Sequence, residues 1–315
     1  MHKYLGVKIY HSINDFKKRE NTVVTTGTFD GVHTGHRKII SRLTQLAKKQ
    51  KGESAVLTFF PHPRMVLHPD DHGLKLLNTL DERIELLGQL NIDHLIVHTF
   101  TKEFSRTTFL QFVRDILVNA VGTKTLVIGY DHHFGRNREG TYKELAELAP
   151  VYDFKLEKID EEIIHEITVS STKIRAAIDL GDIELANELL GYEYMLSGKV
   201  VHGDGIGKAL GYPTANIKPA ENYKMVPADG IYAVRVRMEN ENYSGMLYIG
   251  TRPTLNMTER NIEVNIFNFD KNIYDKNITV TFCKRIRDDI RFSSKEELSR
   301  QLGNDKEEAL KILAE

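Results

Sequence analysis

Three glycines (Gly27, Gly31, Gly35) and two histidines (His33, His36) fall within the ten residues GTFDGVHTGH, directly behind the apolar run TVVTT. A strand ending at Thr26, a glycine-containing bend and a helix beginning near Gly35 would aim backbone N–H groups and the positive end of a helix dipole at one point. That is a site for an anion. Three residues apart, the two imidazoles can share one side of the first turn and donate hydrogen bonds to charge building up on a phosphate. No nucleophile is required. The bland alternative is a strand–helix turn in which glycines supply left-handed backbone and the histidines lie on the surface.

A second glycine cluster, VVHGDGIGKALGYPTANI (residues 200–217), places Gly203, Gly205, Gly207 and Gly211 ahead of Pro213-Thr214-Ala215-Asn216. Such a loop can wrap a phosphate closely. It is not a P-loop, because GxxxxGK[ST] is missing, and not a Rossmann fingerprint, because no parallel βαβ unit follows it. A glycine-rich hairpin in a barrel is the structural alternative. Between the clusters lies GYDHHFGRNREG (residues 129–140), where Asp131, His132 and His133 raise the question of a metal. Adjacent side chains point in different directions on a regular element and no spaced partner such as HExxH accompanies them, which argues against a metal site there.

The elements that must position these residues change character along the chain. Up to about Ile183, β-rich runs at Thr22–Thr26, Ala55–Phe60, His94–Phe100 and Thr125–Gly129 alternate with helical patterns, as in a parallel sheet covered by helices. Ile39/Leu43/Leu46 and Phe109/Val113/Ile116 are spaced to lie on helical faces. After about Ser197 the signal becomes strands separated by turns: GKVVHG, GIYAVRVRM, GMLYIG, IEVNIFNF and NITVTF. An antiparallel barrel or sandwich is expected. Ile262, Val264 and Ile266 alternate with Glu263, Asn265 and Phe267, so one face of that strand should be buried and the other available. The chain closes with a helical pattern in which Ser294 and Glu297 have capping-box spacing and Leu298, Leu302, Leu310 and Leu313 suggest the apolar stripe. The halves should join within Ile174–Tyr194, which carries Gly181 and Gly191.

Composition narrows the partners. At 315 residues two domains are the leading expectation, and 41% hydrophobic with 28% charged residues is a globular balance. A net charge of −1 removes the broad attraction that nonspecific binding to nucleic acid or an anionic membrane requires, so neither is expected as a partner. Cys283 is the only cysteine, which excludes an intrachain disulfide and a cysteine-rich zinc site and suits a reducing compartment. With no signal-peptide pattern at the start and no stretch long enough to span a bilayer, a cytoplasmic location is expected, as a monomer or weak homo-oligomer.

GTFDGVHTGH resembles the HxGH signature of the nucleotidyltransferase superfamily, and its Phe-Asp-Gly is similar to the FAD synthetase branch. The likeness continues through TFFPHP (58–63), GYDHHFGRNREG and SSTKIR (170–175). It implies an α/β, Rossmann-like parallel sheet. In that domain His33 and His36 act on the transferring phosphate, and Gly27, Phe29, Asp30, Gly35, Ser171, Thr172, Lys173 and Arg175 hold ATP. Ser170 to Thr172 are natural N-caps, and Lys173 with Arg175 could hold the β- and γ-phosphates. Pro61, His62, Pro63, Asp131, Phe134 and Arg138 would serve flavin or adenosine, with His132 and His133 standing where the family often has Phe-Arg.

GxGxxLGYPTAN resembles the ATP-binding signature of riboflavin kinases, and IGTRPT (249–254) and residues 261–282 resemble further blocks of that family. This resemblance assigns Gly203, Gly205, Gly207, Lys208, Pro213, Thr214 and Asn216 to a second ATP. Thr214 and Asn216 would offer side-chain oxygens to Mg²⁺. Glu263 stands at the position of the catalytic base, its alternative being a solvated strand residue. Arg287 and Phe292 would border the flavin. Asn265 lies where His is common, and Asp275 where Gly is common.

The two sets of motifs occur in the order found in the prokaryotic family of bifunctional riboflavin kinase/FAD synthetases. Residues 1–185 would then be an FMN adenylyltransferase domain and residues 186–315 an antiparallel β-barrel riboflavin kinase domain with a closing helix. Riboflavin, FMN and ATP are the implied substrates, Mg²⁺ the cofactor, and FMN and FAD the products. Two other readings remain at this stage: another nucleotidyltransferase fused to an unrelated barrel, and a noncatalytic flavin-sensing module.

Overall fold

The apolar runs of the first half are neighbours in one parallel sheet of the computed structural model, which describes residues 6–71, 73–129, 135, 139–159, 169–203, 207, 210–251 and 260–314. Asp131, His132, His133, Phe134, Arg138, Gly205 and Lys208 lie outside the described residues. The chain divides into two units, Met1–Leu74 with Leu80–Ser170, and Lys75–Thr79 with Ser171–Glu315.

In the first unit β1 (Lys8–Tyr10), β2 (Thr22–Thr26), β3 (Ser54–Phe60), β4 (His94–Thr99), β5 (Thr123–Ile128) and β6 (Lys155–Lys158) form a sheet in the order β1-β4-β3-β2-β5-β6. Every pairing is parallel. All five residues of β2 are buried, which fits a central strand covered on both faces. The edge strands β1 and β6 have three and four residues, too few to carry a readable period. Because β3 and β5 flank β2, the strand order reverses there, and in open α/β sheets ligands bind beyond the carboxyl ends of the strands at such a switch point. GTFDGVH follows β2, and GYDHHFGRNREG follows β5.

The helices of this unit are α1 (Thr34–Lys49), α2 (Pro63–Leu67), α3 (Leu80–Gly88), α4 (Phe109–Gln111, continued by a π-wound stretch over Phe112–Val121) and α5 (Tyr142–Leu148). α1 buries Ile40, Leu43, Leu46 and Ala47, which keeps the expected Leu43 and Leu46 and replaces Ile39 by Ile40. Beyond Gln111 the winding is wider than an α-helix. The fully buried residues there are Phe112, Val113, Leu117 and Val121; of the expected Phe109/Val113/Ile116, Val113 is among them and the other two pack partly buried against the same core. The fully buried set packs with Val24, Leu57, Ile96, Leu126 and Ile128 in the core.

The second unit contains α6 (Ser171–Leu180), α7 (Ile183–Leu190), β7 (Tyr194–Val201), β8 (Ala215–Pro219), β9 (Gly230–Met238), β10 (Glu241–Thr251), β11 (Arg260–Ile266), β12 (Asn277–Arg287) and α8 (Lys295–Ala314). Its strands form a closed barrel, β10-β11-β8-β7-β12-β9, with every neighbouring pair antiparallel. Gly181, with φ +74°, separates α6 from α7, and Gly191, also at +74°, caps α7. Tyr232 meets Phe282 edge to face at 5.3 Å inside the barrel. The five residues Lys75–Thr79 complete this unit: Leu76 N donates to Tyr223 O at 2.7 Å, Met225 N donates to Leu76 O at 2.9 Å, and the buried Lys224 ammonium donates to Leu77 O.

Two expectations for this half are corrected. The face of β11 carrying Glu263, Asn265 and Phe267 is not open, since each of these residues is only 6% exposed. The Pro213–Thr214 turn bonds to its polar residues, and Phe267 packs with Ala309 of α8 and Met246. Along α8, Leu302 and Leu313 pack inward with Ala309 and Ile312, while Leu310 is 44% exposed. At 100° per residue Ala309 returns to within about 20° of Leu302, whereas Leu310 swings about 80° away. Ser294 does cap this helix, accepting from Glu297 N at 3.1 Å, but the Glu297 carboxylate returns to Ser293. Among the described residues no helix is long and apolar enough to cross a membrane.

Candidate functional sites

The bend after β2 is held in sparsely populated backbone. Phe29 has φ +48°, Gly31 +90° and Val32 +39°. Left-handed backbone is strained for a β-branched residue such as Val32, and strain of this kind persists only where the surroundings fix it. Here they do. Val32 N donates to Phe29 O at 3.1 Å, Arg37 Nε donates to Val32 O at 3.2 Å, and Thr58 Oγ1 donates to Thr28 O at 3.3 Å. The Phe29 ring is buried and meets the His36 ring at 5.2 Å.

His33 is the N-cap of α1, its Nδ1 accepting from His36 N at 3.4 Å. An accepting Nδ1 leaves the ring proton on Nε2, the atom with which His33 can donate outward. The His33 and His36 rings stack with centroids 3.6 Å apart and planes 17° apart. Gly35 makes this possible, because a Cβ there would lie 3.2 Å from His33 Cε1. The two imidazoles, the buried Asp30 and the first turn of α1 thus come together at the carboxyl end of β2, with Gly27 at the mouth of the bend. Pro61 and His62 precede α2 and Pro63 opens it, with His62 Nδ1 accepting from Arg64 N at 3.2 Å. Ser171, Thr172, Lys173 and Arg175 occupy the first turns of α6 and are counted with the second unit, where Arg175 Nε donates to Lys75 O at 2.9 Å.

Sequence reasoning missed Arg83. This arginine is 3% exposed and donates both to Thr28 O and to Phe59 O, tying the loop after β2 to the end of β3. A signal was present: Leu80, Arg83, Ile84 and Leu87 follow the apolar phase of α3, so the arginine sits on the inward face. Elsewhere in this unit burial lowers the His94 and His98 imidazoles below their ordinary range.

The second cluster is assembled across the ladder. Glu263 on β11 is in register with Asn216 on β8 and with Tyr248 on β10. Thr214 Oγ1 donates to Glu263 Oε2 at 3.0 Å, and Asn261 Nδ2 donates to Oε1 at 3.5 Å. Two glycines crowd Asn216 and Thr214. A Cβ on Gly203 would lie 2.0 Å from Asn216 Nδ2, and one on Gly207 would lie 2.4 Å from Tyr212 O and 3.2 Å from Thr214 Oγ1. The loop therefore comes this close to the Pro213–Asn216 turn only because it lacks side chains at these two positions.

Arg287 is bidentate to the buried Asp305 of α8, at 2.8 and 2.7 Å, and the Phe292 ring lies 5.8 Å from the same guanidinium. These two residues are brought together, and the arginine pins the closing helix. Asp275 has φ +64°, which explains the usual glycine there. Aspartate tolerates this region, and Asp275 also pairs with Lys199 at 2.8 Å. Burial pushes the Tyr232 phenol and the Cys283 thiol up to about 12, so neither supplies an acid or base near neutrality.

Comparison with known proteins accounts for both clusters. The FAD synthetase family model matches residues 15–173 and the riboflavin kinase family model matches residues 190–313. The bifunctional riboflavin kinase/FMN adenylyltransferase of Bacillus subtilis is 35% identical over 97% of this chain and 96% of its own length. The Listeria monocytogenes protein of the same name is 36% identical over 93% of each chain. A Streptococcus pneumoniae crystal structure described as a macrolide-efflux protein superposes with a TM-score of 0.85 at 31% identity, covering 96% of this chain and 98% of that one. With both family models matched in this order and bifunctional relatives at least 35% identical over more than nine-tenths of its length, the chain belongs to the bifunctional riboflavin kinase/FMN adenylyltransferase family.

Proposed function

We propose that the chain makes FAD from riboflavin in two steps, phosphorylating riboflavin to FMN with ATP and then adenylylating FMN with a second ATP to release pyrophosphate. Residues 186–315 carry the first step. Residues 1–185 carry the second, with α6 assigned to it for the cationic Lys173 and Arg175. The observation that carries the reading is that the match to bifunctional relatives extends through both clusters.

In the kinase step the Glu263 carboxylate accepts the proton of the ribityl 5′-hydroxyl as its oxygen attacks the γ-phosphorus and ADP leaves. The hydroxyl of Thr214 and the amide carbonyl of Asn216 are hard oxygen donors on the same turn, beside a carboxylate, and this donor set fits Mg²⁺. When bound, the ion would spread the charge developing on the transferred phosphoryl group. The bare Cα of Gly203 and Gly207 lets the loop close directly onto the Asn216 and Thr214 side chains.

In the adenylyl step an FMN phosphate oxygen attacks the α-phosphorus of ATP in line, and the bond to pyrophosphate breaks. Two anions must approach, so charge neutralisation and positioning carry the rate. His33 and His36 donate from their rings, and the α1 N-terminus adds its dipole. We place both reactions in the cytoplasm, which suits a chain with the single thiol Cys283.

Purified protein incubated with riboflavin, ATP and Mg²⁺, followed by separation of the flavins, tests the reading. FMN should appear first and FAD should accumulate over many turnovers. Unchanged riboflavin would overturn the kinase assignment, and FMN that is never converted would overturn the adenylyl assignment.

A further inference from the structure

Alternate residues of β11 point the same way, so Asn261, Glu263 and Asn265 form a row of three polar side chains on one face. Two of them hold Glu263 or the turn above it by direct bonds. Asn265 is the less obvious member. It is 6% exposed, and its Nδ2 donates to the Pro213 carbonyl at 2.7 Å.

That carbonyl is the first atom group of the peptide plane leading into Thr214. The proline ring fixes φ of Pro213, and a hydrogen bond on its carbonyl fixes ψ, so both soft dihedrals of the residue are set. The peptide plane from which Thr214 departs is thereby oriented, and Thr214 Oγ1 donates to Glu263 Oε2 at 3.0 Å. From the other side, Tyr212 N donates to Gly207 O at 2.9 Å, fastening the turn to the glycine loop.

We propose that Asn265 is a positioning residue for phosphoryl transfer. By pinning the Pro213–Thr214 peptide it sets where Thr214 and Asn216 meet the nucleotide relative to Glu263. The inference rests on the kinase reading above. It also accounts for the departure at this position, because an imidazole N–H and an amide N–H are both donors and either can hold the carbonyl.

The test measures FMN formation with ATP and riboflavin varied separately, and FAD formation from supplied FMN on the same samples. Asn265→Asp keeps the side-chain shape but replaces the donor by a carboxylate facing a carbonyl. It should raise the KM for ATP about tenfold while leaving the KM for riboflavin and FAD formation within about twofold of wild type. Asn265→His should bring the KM for ATP back to within about threefold, since the donor is restored. A KM for ATP unchanged in Asn265→Asp, a rise confined to riboflavin, or an equal fall in FMN and FAD formation overturns the proposal. If Asn265→Asp does not fold, Asn265→Ser, too short to reach Pro213, is judged by the same outcomes. Wild-type protein that forms no FMN would instead overturn the kinase reading.

Discussion

The cluster proposed to cradle an anion in the first unit is one continuous stretch of chain, residues 27–36, whereas the one proposed in the second draws Gly203 and Gly207, the turn at 213–216 and Glu263 from three places in sequence. Geometry in the first comes from backbone strain and a helix cap, which act over a few residues. Geometry in the second comes from ladder register, which places Glu263 opposite Asn216 across a 47-residue gap spanned by β9 and β10. A strained bend tolerates sequence changes outside it provided that Arg83 and Phe29 still hold it. A register-built site fails wherever its strands or its covering loop are displaced.

The two sites should therefore break separately. The largest effect is expected from Glu263→Gln, which removes the proposed base: FMN formation should fall by roughly 10³ while FAD formation from supplied FMN is unchanged, as read by separate product assays. Next, His36→Ala should lower FAD formation by roughly 10² and leave FMN formation near wild type. Loss of both products in either variant would merge the two sites.

Glycine substitution sharpens the contrast. In Gly203→Ala the new Cβ falls 2.0 Å from the Asn216 amide, whereas in Gly35→Ala it falls 3.2 Å from the His33 ring. Gly203→Ala should cut FMN formation by up to about 10², because Asn216 must move by more than an ångström, and Gly35→Ala should cut FAD formation by only a few-fold. Steady-state rates of the two products decide between them.

The smallest effect is on stability. His94, in the first unit, has a folded pKa below its ordinary 6.5 because burial disfavours the charged ring. Its unfolded form binds more protons in the window below 6.5, so the stability is fully present above that pH and is lost as the pH falls through it. Thermal melts of the wild type should fall on acidification from pH 7 to pH 5, and His94→Gln should flatten that slope. An identical slope in the variant would remove His94 as the cause.

Much of the first site was legible because its residues are consecutive. The HxGH spacing, the strand Thr22–Thr26 and the start of α1 all lie within reach of local pattern. Two features of it were not. The stacking of His33 on His36 depends on the missing Cβ of Gly35, and the grip of Arg83 on Thr28 spans 55 residues. In the second unit alternation along β11 was correct, but alternation alone cannot say what covers the polar face. That cover is the Pro213 turn and α8, which only the closed barrel brings there. β8 was unreadable for a similar reason: Ala-Asn-Ile-Lys-Pro has one buried residue and little β propensity, and pairing with β7 and β11 makes it a strand.

One small excursion of the chain has a large consequence for how this protein can be taken apart. Lys75–Thr79 belongs to the barrel unit although it is encoded in the middle of the other half, and its Leu77 carbonyl receives the Lys224 ammonium. A fragment starting at residue 171 would lack that carbonyl and leave the buried ammonium, which also lies 4.3 Å from the Tyr194 ring centroid, with one acceptor fewer. No single cut of the chain separates the two units while leaving Lys75–Thr79 with the barrel it completes, so dissecting the activities calls for substitutions rather than fragments.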